Sequence, residues 1–153
     1  MDQTDAKILD VLQTNATLTA AEVAAEAGLD AADCQARIER LEADGVIERR
    51  VALLNGRKVG ANMTAFVAIV VAEHSQQSLE QFHAAVTSFP EVVEFYRMSG
   101  QVDYLLRVVV PDIDAYDVFY KKLIGAATLK DVSSTFAIEQ IKFTTKVPVI
   151  VAD

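Results

Sequence analysis

Thr19-Ala20-Ala21-Glu22-Val23-Ala24-Ala25-Glu26-Ala27-Gly28-Leu29-Asp30 is the stretch on which the reading of the first third of the chain turns. Thr19 and Glu22 stand at capping-box spacing: the hydroxyl can accept from a backbone N–H and the carboxylate can reach back. That predicts a helix opening at Thr19 and stopping at Gly28. Asp30 caps the next helix, which runs to Asp44 with Cys34, Ile38 and Leu41 on one face. Small Ala24 lets the two helices cross closely, and Gly28 permits the tight turn between them. This is the helix-turn-helix pattern. On this segment alone, a generic three-helix bundle remains the other reading.

Upstream, Thr4 is placed to cap a first helix whose Ile8, Leu9 and Leu12 share a face, and Asn15-Ala16-Thr17 ends it. Downstream, Gly45 supplies a left-handed stop and Val46-Ile47 begins an extended segment. Arg49–Leu54 is predicted as a strand closed by the Asn55-Gly56 turn. Beyond it, strands and helices alternate. Met63–Ala72 is a strongly apolar strand, a helix covers about Ser78 to Ser88, and Val92–Ser99 and Tyr104–Val110 form a hairpin around Gly100-Gln101. A helix after Pro111-Asp112 buries Ile113, Tyr116, Phe119, Tyr120 and Leu123, and Phe136–Lys146 closes the series as a strand.

The fold class is therefore α+β: an N-terminal winged-type helix-turn-helix followed by a ferredoxin-like βαββαβ domain. The expected divisions are 1–47 for the first domain, 48–60 for a linker strand and turn, and 61–153 for the second. Both helices of the second domain lie on one sheet face. Strands as apolar as Ala65–Ala72 and Leu105–Val110 should bury the other against a second subunit, so a homodimer is the minimum expectation.

Composition sets the outer bounds. Hydrophobic residues at 52% and charged residues at 24% suit a chain that buries a core, which excludes wholesale disorder. The longest apolar run, Ala65–Ala72, is far short of the ~20 residues a bilayer-spanning helix needs. Met1-Asp2-Gln3 shows neither a basic region nor an apolar stretch, so no signal peptide is expected and the cytoplasm is the expected setting. The lone Cys34 falls at an inward helix position and reads as a buried structural thiol. His74 and His83 are too few and too scattered for a metal site, so no metal or cofactor is expected. The net charge of −8 argues against a simple basic nucleic-acid binder, and neither half of the chain is a basic arm.

Several motifs nevertheless carry a resemblance. Asp5-Ala6-Lys7-Ile8-Leu9, Arg37-Ile38-Glu39-Arg40-Leu41-Glu42, Gly45-Val46-Ile47, Ser99-Gly100-Gln101-Val102-Asp103-Tyr104-Leu105-Leu106-Arg107 and Ser134-Thr135-Phe136-Ala137, in this order, resemble the Lrp/AsnC family of feast/famine transcription regulators. The likeness runs from Asp5 to Pro148. Phe95-Tyr96-Arg97-Met98, Phe119-Tyr120-Lys121 and Glu139-Gln140-Ile141-Lys142 look closest to a subgroup linked to cysteine detoxification or branched-chain amino-acid breakdown.

The resemblance implies a regulator of amino-acid metabolism that binds double-stranded DNA and assembles as dimers, tetramers or octamers. It also implies an amino-acid effector held between subunits, with cysteine or a branched-chain amino acid suggested by the subgroup. Catalytic residues are not implied. The DNA-facing residues would be Thr19, Ala20, Ala31, Ala32, Gln35, Arg37 and Arg40. Gln35 suits an adenine edge and Arg37 a guanine edge or a phosphate, while Thr19 and Ala20 can offer backbone N–H groups to phosphate. The effector residues would be Met98, Ser99, Gly100, Asp103, Tyr104, Ser133, Ser134 and Thr135. Asp103 is an anion for the effector's ammonium, and a glycine turn brings backbone N–H groups near its carboxylate.

Two departures matter. Asp30 stands where members often have Ser or Thr, and Asp33 adds a carboxylate at the end of the helix that should face phosphates, which predicts salt-sensitive binding dependent on several dimers. The Gly125–Lys130 loop also lacks a Pro-Gly turn common in relatives. Two other readings stand beside the regulator: an effector-binding assembly protein without specific DNA binding, and an enzyme like the sirohaem decarboxylases, which share this architecture.

Overall fold

Helix α1 (Gln3–Thr14) starts at Asp2, two residues before the expected Thr4. The Asp2 carboxylate accepts from the Asp5 N–H at 2.8 Å, and the Asp5 carboxylate accepts from the Asp2 N–H at 2.9 Å. Two aspartates three apart form a reciprocal cap that Thr4 has no partner to match. The computed structural model in which this is seen describes residues 1–151. Helix α2 (Ala20–Ala27) has the anticipated Thr19–Glu22 capping box and ends at Gly28, whose φ of +70° is left-handed. Helix α3 (Ala31–Ala43) is capped by Asp30, which accepts from the N–H groups of Ala32 and Asp33 at 2.9 and 3.1 Å. Ile8, Val23, Cys34 and Leu41 meet at the centre, and buried Ala24 allows the close crossing.

The chain divides into two units, and the division differs from the expected one. Met1–Leu53 groups with the chain from Lys142 onward, while Leu54–Ile141 forms the second unit. The last residues thus belong with the helices and not with the sheet. The cause is local. Val149 packs on the cluster of Ile8, Leu9 and Leu12, and Lys146 reaches Asp10 at 2.6 Å.

In the second unit, strand β1 (Met63–Val71), helix α4 (Gln76–Thr87), strands β2 (Val92–Arg97) and β3 (Tyr104–Val110), helix α5 (Ile113–Gly125) and strand β4 (Leu129–Phe136) follow the βαββαβ order. The sheet order is β2-β3-β1-β4, and every pair is antiparallel. Alternation sets the two faces. Ala65, Val67, Ile69 and Val71 of β1 and Tyr104, Leu106, Val108 and Val110 of β3 pack with Phe82, Val86, Phe119 and Leu123 of the helices. Phe66, Leu105, Arg107, Glu94 and Tyr96 fall on the other face.

Two strands were misplaced by the sequence. The closing strand is Leu129–Phe136, not Phe136–Lys146. Its hydroxyl-rich Ser133-Ser134-Thr135 hides a half-buried edge strand, whereas Phe136, Ile138, Ile141 and Phe143 give an apolar, strand-like composition to a segment that forms no strand beyond Phe136. Residues 49–54 also form no strand; Val51, Leu53 and Leu54 are exposed, and Asn55 caps a short 3₁₀ turn, Gly56–Val59. An extended segment becomes a strand only with a partner.

Leu106, fully buried under α4 and α5, should be the sharper test of this packing. Leu106→Ala is expected to cost about 3 kcal/mol, measured by urea denaturation followed by far-UV circular dichroism.

Candidate functional sites

Asp5 is 1% exposed, and a carboxylate so buried must be paired to stay ionised. It accepts from Arg37 Nη1 at 2.9 Å and from Arg40 Nη2 at 2.6 Å. Arg37 also donates to Asp2 at 2.8 Å and, through Nε, to Asp33 at 2.9 Å. Burial pushes the Asp5 carboxyl up, but the Asp2 N–H and the two guanidinium groups outweigh it and hold it below the usual range. The Arg37 hydrogen bond and the Asp5 N–H hold Asp2 down at about 2, and its three carboxylate partners, Asp2 first, push the Arg37 guanidinium further up.

This revises the expected role of Arg37. Its Nε and Nη1 are committed to α1 and to Asp33, leaving Nη2 alone without a protein partner among the described residues. Arg37 is foremost the brace that joins α3 to α1. Arg40 is half exposed and shares Asp5. Of the remaining expected DNA-facing residues, Ala31, Ala32 and Gln35 are exposed on α3, and Thr19 is exposed at the start of α2, while Ala20 is half-buried against the helix core. Gln35 donates to Glu39 at 2.6 Å and must leave it to reach a base. Arg50 ties Glu42 of α3 at 3.0 Å to the carbonyl of Ala16 at 3.2 Å.

The loop between β2 and β3 has a different geometry. Met98 N–H donates to the Asp103 carbonyl at 2.8 Å, closing a turn in which Gly100 takes φ +123°. Among the described residues, the N–H groups of Ser99, Gly100 and Gln101 have no acceptor in the chain. Asp103 accepts from the Val71 N–H at 2.9 Å and faces His74 Nε2 at 3.4 Å. The Val71 bond, opposed by burial and helped by His74, holds its carboxyl below the ordinary value.

Other expected effector residues separate. Tyr104 is 2% exposed, points to the helix side of the sheet, and its hydroxyl meets His83 Nε2 at 2.8 Å among Phe82 and Phe95. It is a core residue, not a loop contact. Ser134 lies on the same side, where it accepts from the Tyr116 hydroxyl. Ser133 and Thr135 point the other way, opposite Ala68 and Phe66. They lie on the far side of β1 from Asp103, two strand spacings (about 10 Å) across the sheet and further still along it. Loop and hydroxyls do not converge into one cup within a single chain. Both histidines, unassigned by the sequence, prove to be partners of Asp103 and Tyr104. Cys34 is fully buried, and burial pushes its thiol up.

With this geometry in place, comparison with known proteins is decisive for the family. The model of the AsnC-type helix-turn-helix domain matches residues 1–42, and that of the Lrp/AsnC ligand binding domain matches residues 64–147. The chain belongs to the Lrp/AsnC family of transcription regulators. A Zymomonas mobilis relative, the glutamate uptake regulatory protein, is 49% identical over 148 residues, covering 97% of this chain and 90% of its own. An AsnC family transcriptional regulator from Agrobacterium tumefaciens superposes with a TM-score of 0.94 at 57% identity, with 97% of both chains covered. A Neisseria meningitidis transcriptional regulator solved with L-Met gives 0.92 at 33% identity, with 97% and 96% covered. As in these Lrp/AsnC relatives, the chain joins a helix-turn-helix to a ferredoxin-like sheet. No helix among the described residues is long and apolar enough to cross a membrane.

The Asp2–Asp5–Arg37 cluster carries a pH signature. Asp2 has a folded pKa near 2 against an ordinary 3.8, so its contribution is present above 3.8 and lost as pH falls toward 2. Asp5 is depressed as well and acts in the same direction. Acid titration of the thermal midpoint should fall through this window. Asp5→Asn should cost about 2 kcal/mol at neutral pH and flatten the acid limb. An unchanged limb in that variant would place the acid sensitivity elsewhere.

Proposed function

We propose that this Lrp/AsnC chain is a sequence-specific DNA-binding transcription regulator of amino-acid metabolism, controlled by an α-amino acid held between subunits. The observation that carries the effector reading is the β2–β3 turn. The N–H groups of Ser99, Gly100 and Gln101, unpaired among the described residues, lie in the same turn as Asp103, whose carboxylate is partly exposed. An α-amino acid has a carboxylate for the first and an ammonium for the second. Met98 offers an exposed apolar contact for its side chain. Ser133 and Thr135 lie too far off in the same chain, which supports a site completed by a second subunit.

Assembly follows the uncovered sheet face, where Phe66, Leu105 and Val109 surround the Glu94–Arg107 ion pair at 2.6 Å. A homodimer through this face, with further association to tetramer or octamer, covers it. Relatives guide the effector: the Zymomonas name points to glutamate and the Neisseria complex to L-methionine. Cysteine and the branched-chain amino acids complete the set to be screened. Thermal shift with L-glutamate, L-methionine, L-cysteine and L-leucine is expected to single out at least one. Asp103→Asn should abolish that shift, while His74→Ala, which frees Asp103 Oδ1, should keep it. A full shift in Asp103→Asn would sink the site.

For DNA, the exposed starts of α2 and α3 are the contact surface, with Thr19 and Ala20 on phosphates and Ala31, Ala32 and Gln35 toward base edges. A second reading, an effector-binding assembly without specific DNA binding, is favoured by one fact: Arg37 is held by three carboxylates. Gel retardation of the chain's own upstream DNA at ~100 mM salt decides between them. The regulator reading expects preference over competitor DNA, and Gln35→Ala should reduce that preference about tenfold. No preference in the unmutated protein leaves the second reading.

A further inference from the structure

The chain from Lys146 to Ile150 lies on α1 through three separate contacts. Gln13 treats Val147 as a neighbouring strand would: its Oε1 accepts from the Val147 N–H at 2.7 Å and its Nε2 donates to the Val147 carbonyl at 3.1 Å. Such pairing reads backbone and fixes register. Lys146 Nζ meets Asp10 at 2.6 Å and Thr14 Oγ1 at 3.0 Å, and Val149 seats on the helix core. Pro148, between the two anchors, stiffens the segment.

The attachment is marginal as well as specific. A cavity of about 380 Å³ remains beside it, lined by Leu9, Leu12, Ala16, Ile47, Val149 and Ile150. Val147 and Ile150 are 66% and 81% exposed. A segment held by a few surface bonds over unfilled apolar space opens at low free energy, as switching elements must.

Its position in the chain gives this opening a use. The two units are joined covalently twice, once between Leu53 and Leu54 and once between Ile141 and Lys142, on the chain leaving β4. The second connection begins at the strand that carries Ser133 and Thr135. We infer that Lys146–Ile150 is a regulatory strap: docked on α1 it holds the helix-turn-helix in its DNA-binding arrangement, and effector occupancy at β4 alters that docking. The inference rests on the effector site proposed above.

The full chain is compared with Gln13→Ala/Lys146→Ala, which undocks the strap, and with Asp10→Lys/Lys146→Glu, which swaps the ion pair and should keep it. Amide exchange across 146–151, thermal shift and DNA affinity are read with and without L-glutamate or L-methionine. In the unmutated chain the amino acid should change exchange at 146–151 and DNA affinity together. The undocked variant should keep the thermal shift while the change in DNA affinity shrinks to within about twofold of none; the swapped variant should behave as the unmutated chain. Full retention of the effector's influence on DNA in the undocked variant overturns the strap. Should neither amino acid shift the unmutated chain, the effector site fails, and the strap is judged on DNA alone. Undocking must then weaken DNA binding, and unchanged affinity overturns it.

Discussion

A buried carboxylate decides what the outer face of α3 can offer. Asp5 reaches the interior of the three-helix unit because its backbone and side chain close the cap of α1, and once there it needs cations. The nearest basic residues are Arg37 and Arg40, one helical turn apart on α3, so both turn toward α1. The helix packing and the chemistry of its outer face are thus set by one requirement. What remains exposed at the start of α3 is alanine, glutamine and Asp33, a surface of small residues and weak charge. Strong phosphate attraction is absent from such a face, so the DNA contact proposed for it rests on shape, backbone N–H groups and the number of copies engaged.

The sheet follows a comparable economy. β1 is paired on both sides, and its alternate residues fill the helix-facing core completely. The same alternation assigns Ser134 to the interior and Ser133 and Thr135 to the opposite face. One residue of register separates a core hydroxyl from a surface one. The proposed effector site therefore draws on two places in the fold: the β2–β3 turn with its unpaired N–H groups, and hydroxyls on a strand two positions across the sheet.

Much of this was legible in the sequence. The Thr19–Glu22 box, the Gly28 turn, the Asp30 cap and the β2–β3 hairpin are local signals, complete within a few residues, and the structure has each of them. What escaped reading depends on partners distant in sequence. Nothing local says that Arg37 will meet Asp2 and Asp5, more than thirty positions away. Tyr104 sat beside the candidate loop, yet strand parity turns it into the core against His83. Ser133-Ser134-Thr135 lacks the apolar alternation that marks a strand, because an edge strand buries little, while Ile138, Ile141 and Phe143 give a strand-like composition to a segment that forms none. The docking of Val149 was invisible for the same reason: a lone valine after a proline carries no signal of where it will land.

The return of the chain to the helical unit also has a consequence for synthesis. During translation the three helices emerge before the sheet, but Val149, which packs on their core cluster, follows only after the entire sheet unit has been made. Domains that fold as they emerge ordinarily finish in order. Here the first unit to begin folding is the last to be completed, so a nascent chain carries an unfinished helical unit until its sheet unit already exists.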